Sequence, residues 1–86
     1  MDFKKVQHPV EEHRFALTEH AIEEFERKNI SSGQLIRTIC NGRLIKKERD
    51  EITQGKLTKY TVEDQNLRIT MKDNLPPIII SIRVIK

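Results

Sequence analysis

The apolar residues of this 86-residue chain change their spacing at Gly42. Before it they recur every three to four residues, as on one face of a helix. After it they alternate with polar residues, as along a half-buried strand. Helices first and strands second give an α+β fold class.

The spacing predicts a helical pair over 18–41. Thr18 suits an N-cap, because its hydroxyl can accept a free backbone N–H of the first turn. Ala21, Ile22, Phe25 and Ile30 share helical spacing, with Glu19, Glu23, Glu24 and Glu26 between them. Acids early and Arg27-Lys28 late complement the helix dipole. Asn29 suits the left-handed stop position. Ser31 and Gln34 have the spacing of a capping box, and Leu35, Ile36, Ile39 and Cys40 form one apolar face ahead of Gly42. Residues 1–11 read as an irregular lead-in interrupted by Pro9, and 13–17 can add a short strand.

Strands are expected at 43–50, 56–63, 67–72 and 78–85, a β-meander over 43–85. Leu67, Ile69 and Met71 alternate with Arg68, Thr70 and Lys72. In the last strand Ile78, Ile80, Ile82 and Val84 oppose Ile79, Ser81, Arg83 and Ile85. The expected architecture is a single domain over 1–86, with two N-terminal helices packed on a four-stranded antiparallel sheet.

Composition narrows the class. A single cysteine forms no internal disulfide, which points to a reducing, cytoplasmic setting. The longest apolar run, 76–82, falls far short of the roughly 20 residues that span a bilayer. No membrane partner is therefore expected. Three glycines supply no phosphate-cradling loop, and His8, His13 and His20 lack metal-ligand spacing. Neither metal nor cofactor is expected. Residues 1–43 carry seven Lys/Arg and seven Asp/Glu, whereas 44–86 carry nine and six, so the net +3 lies wholly in the second half.

Several short motifs recur in a known order: Leu17-Thr18-Glu19-His20-Ala21, Lys28-Asn29-Ile30-Ser31, then Cys40-Asn41-Gly42 with Leu44-Ile45. Their order and spacing over about 13–85 resembles the DUF4258 family of small, functionally uncharacterised proteins. That resemblance implies similarity to RelE/ParE-type toxins, whose fold sets helices before an antiparallel sheet and whose RelE-like members cleave RNA without metal. The chain departs from the pattern at Glu24, where the helix usually carries Arg, at Lys28 in place of Arg, and at Asn29 in place of Gly.

Metal-free RNA cleavage needs a base, an acid and cations around the phosphorane-like transition state. His20, in the first helical turn, suits proton transfer. If the last two strands pair, Arg68, Thr70, Ser81 and Arg83 converge on one phosphate-sized site. Tyr60, with Lys47 and Arg49 on the earlier strands, and Lys72 complete the set. The catalytic candidates are thus His20, Arg68, Arg83 and Tyr60; the binding candidates are Lys47, Arg49, Thr70, Lys72 and Ser81. The plainer alternatives are a structural helix-start histidine, a core-edge tyrosine and solvated cations on an open sheet face. Two functions follow: a metal-independent endoribonuclease acting on RNA and held by a cognate antitoxin, or a non-catalytic module of the same fold, either a ParE-like inhibitor of another enzyme or a domain that binds RNA or protein.

Overall fold

The computed structural model describes residues 3–85, with Thr53 by its backbone alone; residues 1 and 2 of the expected lead-in lie outside this range. Helix α1 (Lys4–Glu11), strand β1 (Ala16–Leu17), helices α2 (Glu19–Arg27) and α3 (Ser32–Asn41), and strand β2 (Arg43–Arg49) come first. A 3-10 turn (Glu51–Thr53) and strands β3 (Thr58–Glu63), β4 (Leu67–Lys72) and β5 (Ile78–Val84) complete the chain.

Helix α1 corrects the irregular lead-in. Pro9 sits inside it, where a proline costs about 3 kcal/mol. Yet Val6 and Val10 are fully buried, and burying each contributes roughly 1.5–3 kcal/mol, enough to offset the proline. The helix ends in a Schellman motif. Arg14 N–H donates to Pro9 O (2.8 Å) and His13 N–H to Val10 O (2.9 Å), with His13 left-handed at φ 62°. Gln7 Nε2 donates to Ile39 O and Cys40 O at 3.0 and 3.2 Å, tying α1 to the end of α3.

Local signals set the other two helices. Asn29 takes the left-handed position after α2 (φ 53°), and Ile30 N–H donates back to Phe25 O at 3.1 Å. Ser31 and Gln34 form the full capping box of α3.

The sheet runs β1-β5-β4-β3-β2. Strands β2 to β5 form an antiparallel meander, but β1 pairs parallel with β5. Among the described residues the sheet is therefore five-stranded and mixed, and three α-helices accompany it rather than two. Strand β1 is only two residues long, so β5 outruns it, and α2 supplies side chains where the strand stops. Thr18 Oγ1 accepts from Ala21 N–H as the helix cap and donates to Ile80 O, both at 3.2 Å. Glu24 Oε1 accepts from Ile82 N–H at 3.3 Å.

Two irregularities decide which side chains face the helices. In β5 the register slips by one between the pairs Thr70↔Ser81 and Met71↔Ile79, leaving Ile80 as a bulge. Ile79 and Ile82 are consequently fully buried. The expected alternation, with Ile78, Ile80, Ile82 and Val84 together on one face, is thereby corrected, since a one-residue slip reverses the face of everything beyond it. A second bulge, at Ile45, divides β2 between Leu44↔Val62 and Lys46↔Thr61. The core lies between the helices and one sheet face. Tyr60, Val62, Leu67, Ile69, Met71, Ile79 and Ile82 pack there against Val6, Val10, Ala21, Leu35 and Ile39.

Candidate anion-binding face of the sheet

Among the described residues the opposite face carries no helix, and it is organised in rows across the strands. Residues directly paired in a ladder share a face and stand about 5 Å apart. The first row runs Arg43, Glu63, Arg68, Arg83; the second runs Lys46, Thr61, Thr70, Ser81; the third runs Glu48, Lys59, Lys72, Ile78. A row of hydroxyls with one ammonium thus lies between two rows of mixed charge.

A groove of about 410 Å³ follows the middle row and the end of the first. Its walls are Lys46, Thr61, Thr70, Ser81, Arg68 and Arg83, with Ile45 at the bulge. Thr61 and Thr70 hydroxyls lie 3.4 Å apart. Arg68 Nε donates to Glu63 Oε2 at 3.0 Å, and Arg43 reaches the same carboxylate at 3.9 Å. Arg83 has no ion-pair partner among the described residues. Chemically the groove offers guanidinium and ammonium donors around hydroxyls that both donate and accept, a set suited to tetrahedral oxyanions.

Four of the candidates expected from sequence, Arg68, Thr70, Ser81 and Arg83, are brought together here. The others are not. Tyr60 is fully buried on the helix-covered face, its ring 5.0 Å from that of Phe3. Lys47 pairs with Tyr60 and Arg49 with Thr58, so the Ile45 bulge turns both away from the groove. Lys72 stands on the open face, but its Nζ is 3.0 Å from Asp50 Oδ2, a carboxylate only 1% exposed. His20 lies on α2 with Nε2 3.1 Å from Glu24 Oε1 and does not line the groove. The residues not anticipated are Ile45, Lys46, Thr61 and Glu63. Alternation alone would have found Ile45, Thr61 and Glu63, whereas Lys46 depends on the bulge.

Strand β2 holds Arg43, Lys46, Lys47 and Arg49 against Glu48 alone, +3, which equals the net charge of the whole chain. All seven of its residues are exposed. The charge surplus is therefore concentrated on the strand bordering one end of the groove.

Elsewhere the chemistry is quieter. Burial, with a smaller contribution from Glu11, pushes the Cys40 thiol up, which keeps it protonated and a poor nucleophile. A larger hollow of about 530 Å³ between α1 and the β4–β5 loop has an apolar lining that includes Val6, Pro9 and Leu75. Among the described residues no three His, Cys, Asp or Glu side chains gather as a metal site requires. No helix among them is long and apolar enough to cross a membrane.

Fold and face together define a small α+β domain with helices on one side of a mixed sheet and a cationic, hydroxyl-floored groove on the other. The chain belongs to the family described as Domain of unknown function (DUF4258), which matches residues 17–84 and so leaves α1 outside the matched span. No curated protein and no solved structure matches it.

Proposed function

We propose that this domain binds RNA by its phosphate backbone along the groove. The observation that carries this reading is the pairing of Arg68 directly opposite Arg83. Like charges set across a ladder cost roughly 0.2–1 kcal/mol, and Glu63 relieves only one of the two. An anion seated between them turns the repulsion into two charge-assisted contacts.

The rest of the face refines the ligand. All four aromatic residues are accounted for elsewhere: Tyr60 is in the core, and Phe3, Phe15 and Phe25 pack against it. The groove thus grips backbone rather than stacking bases, and binding is expected to be sequence-tolerant and salt-sensitive. The hydroxyls of Thr61, Thr70 and Ser81 are suited to a ribose 2′-OH, the group that separates RNA from DNA.

Cleavage of the bound strand, in the manner of RelE-type endoribonucleases with a cognate antitoxin, is the stronger form of the same reading. It requires a proton-transfer group at the scissile phosphate. The groove's own nitrogen groups are Lys46, Arg68 and Arg83, and the imidazole of His20 is engaged by Glu24. Binding without cleavage is therefore the function the geometry supports best. Incubating the protein with a labelled mixed-sequence single-stranded RNA in EDTA, with anisotropy and 3′-end mapping on one sample, separates the cases. Saturable binding with no new ends is expected. New ends would establish the nuclease, and no binding would sink both forms.

A further inference from the structure

Glu63 is an odd neighbour for an anion site, since it places a carboxylate one strand from the paired arginines. Coulomb's law alone casts it as an obstacle to a polyanion. The geometry points to the opposite role: we infer that Glu63 is a positioning residue that holds the Arg68 guanidinium in the orientation that receives a phosphate. This rests on the RNA-binding reading above.

Three observations support it. Glu63 and Arg68 are directly opposed in the β3–β4 ladder, so the carboxylate approaches from the side away from Arg83. The contact is made by Nε at 3.0 Å. A guanidinium carries five N–H donors in one rigid plane, so engaging Nε fixes that plane while the Nη groups stay available to oxygen acceptors. Finally, the Glu63 side chain is itself only 18% exposed, with the exposed Arg43 guanidinium 3.9 Å away on its other flank. The carboxylate is thus held in place before any ligand arrives. An arginine ordered in advance loses less freedom on binding than one recruited from solvent.

This role reverses the sign of the expected mutant effect. Glu63→Ala adds one net positive charge, and electrostatics alone predicts tighter RNA binding. Loss of positioning predicts weaker binding, about fivefold in Kd at fixed moderate salt. Glu63→Gln keeps an oxygen acceptor for Nε–H while removing the charge, so it is expected to bind at least as tightly as the wild type. In an Arg68→Ala background, Glu63→Ala is expected to tighten binding or leave it unchanged, because there is no guanidinium left to orient.

The probe is a fluorescein-labelled single-stranded RNA 20-mer read by anisotropy, with urea unfolding confirming that each variant is folded. NMR relaxation of the Arg68 side-chain nitrogen supplies a readout independent of RNA: ordered in the wild type and Glu63→Gln, mobile in Glu63→Ala. Weakening by Glu63→Ala, rescue by Glu63→Gln and reversal without Arg68 would together support the role. Wild-type binding accompanied by tighter Glu63→Ala binding overturns the positioning role alone. Failure of the wild type to bind overturns the RNA reading, and this inference with it.

Discussion

The Glu24 carboxylate accepts the backbone N–H of Ile82 at 3.3 Å, although Glu24 sits in a helix and Ile82 in the strand beneath it. Strand β1 is too short to reach that far along β5, and Glu24, 8% exposed, stands where its next acceptor would have been. This gives a structural reason for an acid at a helix position where the resemblance leads one to expect a base. The charge reversal serves the sheet edge.

Glu24→Ala is accordingly expected to destabilise the fold by about 1–3 kcal/mol, the range for leaving a buried polar group unsatisfied. Glu24→Gln, which retains an acceptor, should cost less. Glu24→Arg, which sets a cation against the Ile82 N–H, should cost most. Urea unfolding midpoints give the order, and an alanine variant as stable as the wild type would show that water replaces the carboxylate without loss.

Gly42 closes α3 with φ −73° and ψ 178°, a conformation open to any residue. Its constraint is space. A Cβ there would collide with Thr38 O and lie 2.8 Å from Glu63 O, both backbone atoms that cannot swing aside. Gly42→Ala is expected to cost on the order of 3 kcal/mol by overpacking. Thermal unfolding of the variant checks this, and Gly33→Ala, where the added methyl meets nothing closer than 3.9 Å, is the matched control.

Asp64 predicts a pH dependence. Burial pushes its carboxyl up, but the N–H groups of Leu67 and Asn66 and the hydroxyl of Thr38 outweigh that and hold it below the ordinary aspartate range. The two backbone contacts and the Thr38 contact are each 2.8 Å. A depressed folded pKa stabilises fully above the unfolded value of about 3.9, and the contribution disappears as pH falls through the folded value. Asp64→Asn should therefore lower stability near neutrality and flatten its decline between about pH 5 and pH 2. Urea midpoints across that interval provide the measurement; parallel wild-type and variant curves would contradict it.

Two cations of the open face should part company on substitution. Arg83→Ala is expected to weaken RNA binding and lower the salt slope by about one phosphate, while stability stays level or rises by a few tenths of a kcal/mol as the Arg68 repulsion is relieved. Lys72→Met removes a cationic partner of a buried carboxylate and should cost stability, up to about 3–5 kcal/mol, with the salt slope unchanged. Paired anisotropy and urea titrations read both quantities. A Lys72 variant that loses binding and keeps its stability would assign Lys72 to the ligand instead of to Asp50.

Much of the helical half was legible because its signals are local. Thr18, Asn29, Ser31 with Gln34, and Gly42 each act within a few residues of their own position. Helix α1 escaped because Pro9 reads as a breaker, and only tertiary burial of Val6 and Val10 outweighs it. The parallel pairing of β1 escaped because two residues carry too little pattern to reveal a partner more than sixty positions away. In the candidate site, Arg68, Thr70, Ser81 and Arg83 were legible since all four lie on the same side of the β5 bulge. Lys47 and Arg49 were misread for the complementary reason: strict alternation from Leu44 puts them on the open face, and Ile45 takes them off it. Tyr60 did carry a cue: the alternation that sets Thr61 and Glu63 on the open face sets Tyr60 with Val62 in the core.

Ile45 has a consequence that reaches past this chain. With it, Lys46 enters the groove while Lys47 and Arg49 turn toward the helical side. Were Ile45 to pair in step with Thr61 instead, Lys46 would turn toward the helices and Lys47 and Arg49 would enter the open face. A one-step shift of pairing in β2 thus re-equips the open face with a different set of cations while every residue is retained. Relatives of this domain can differ in what they hold through the register of one strand as readily as through its composition.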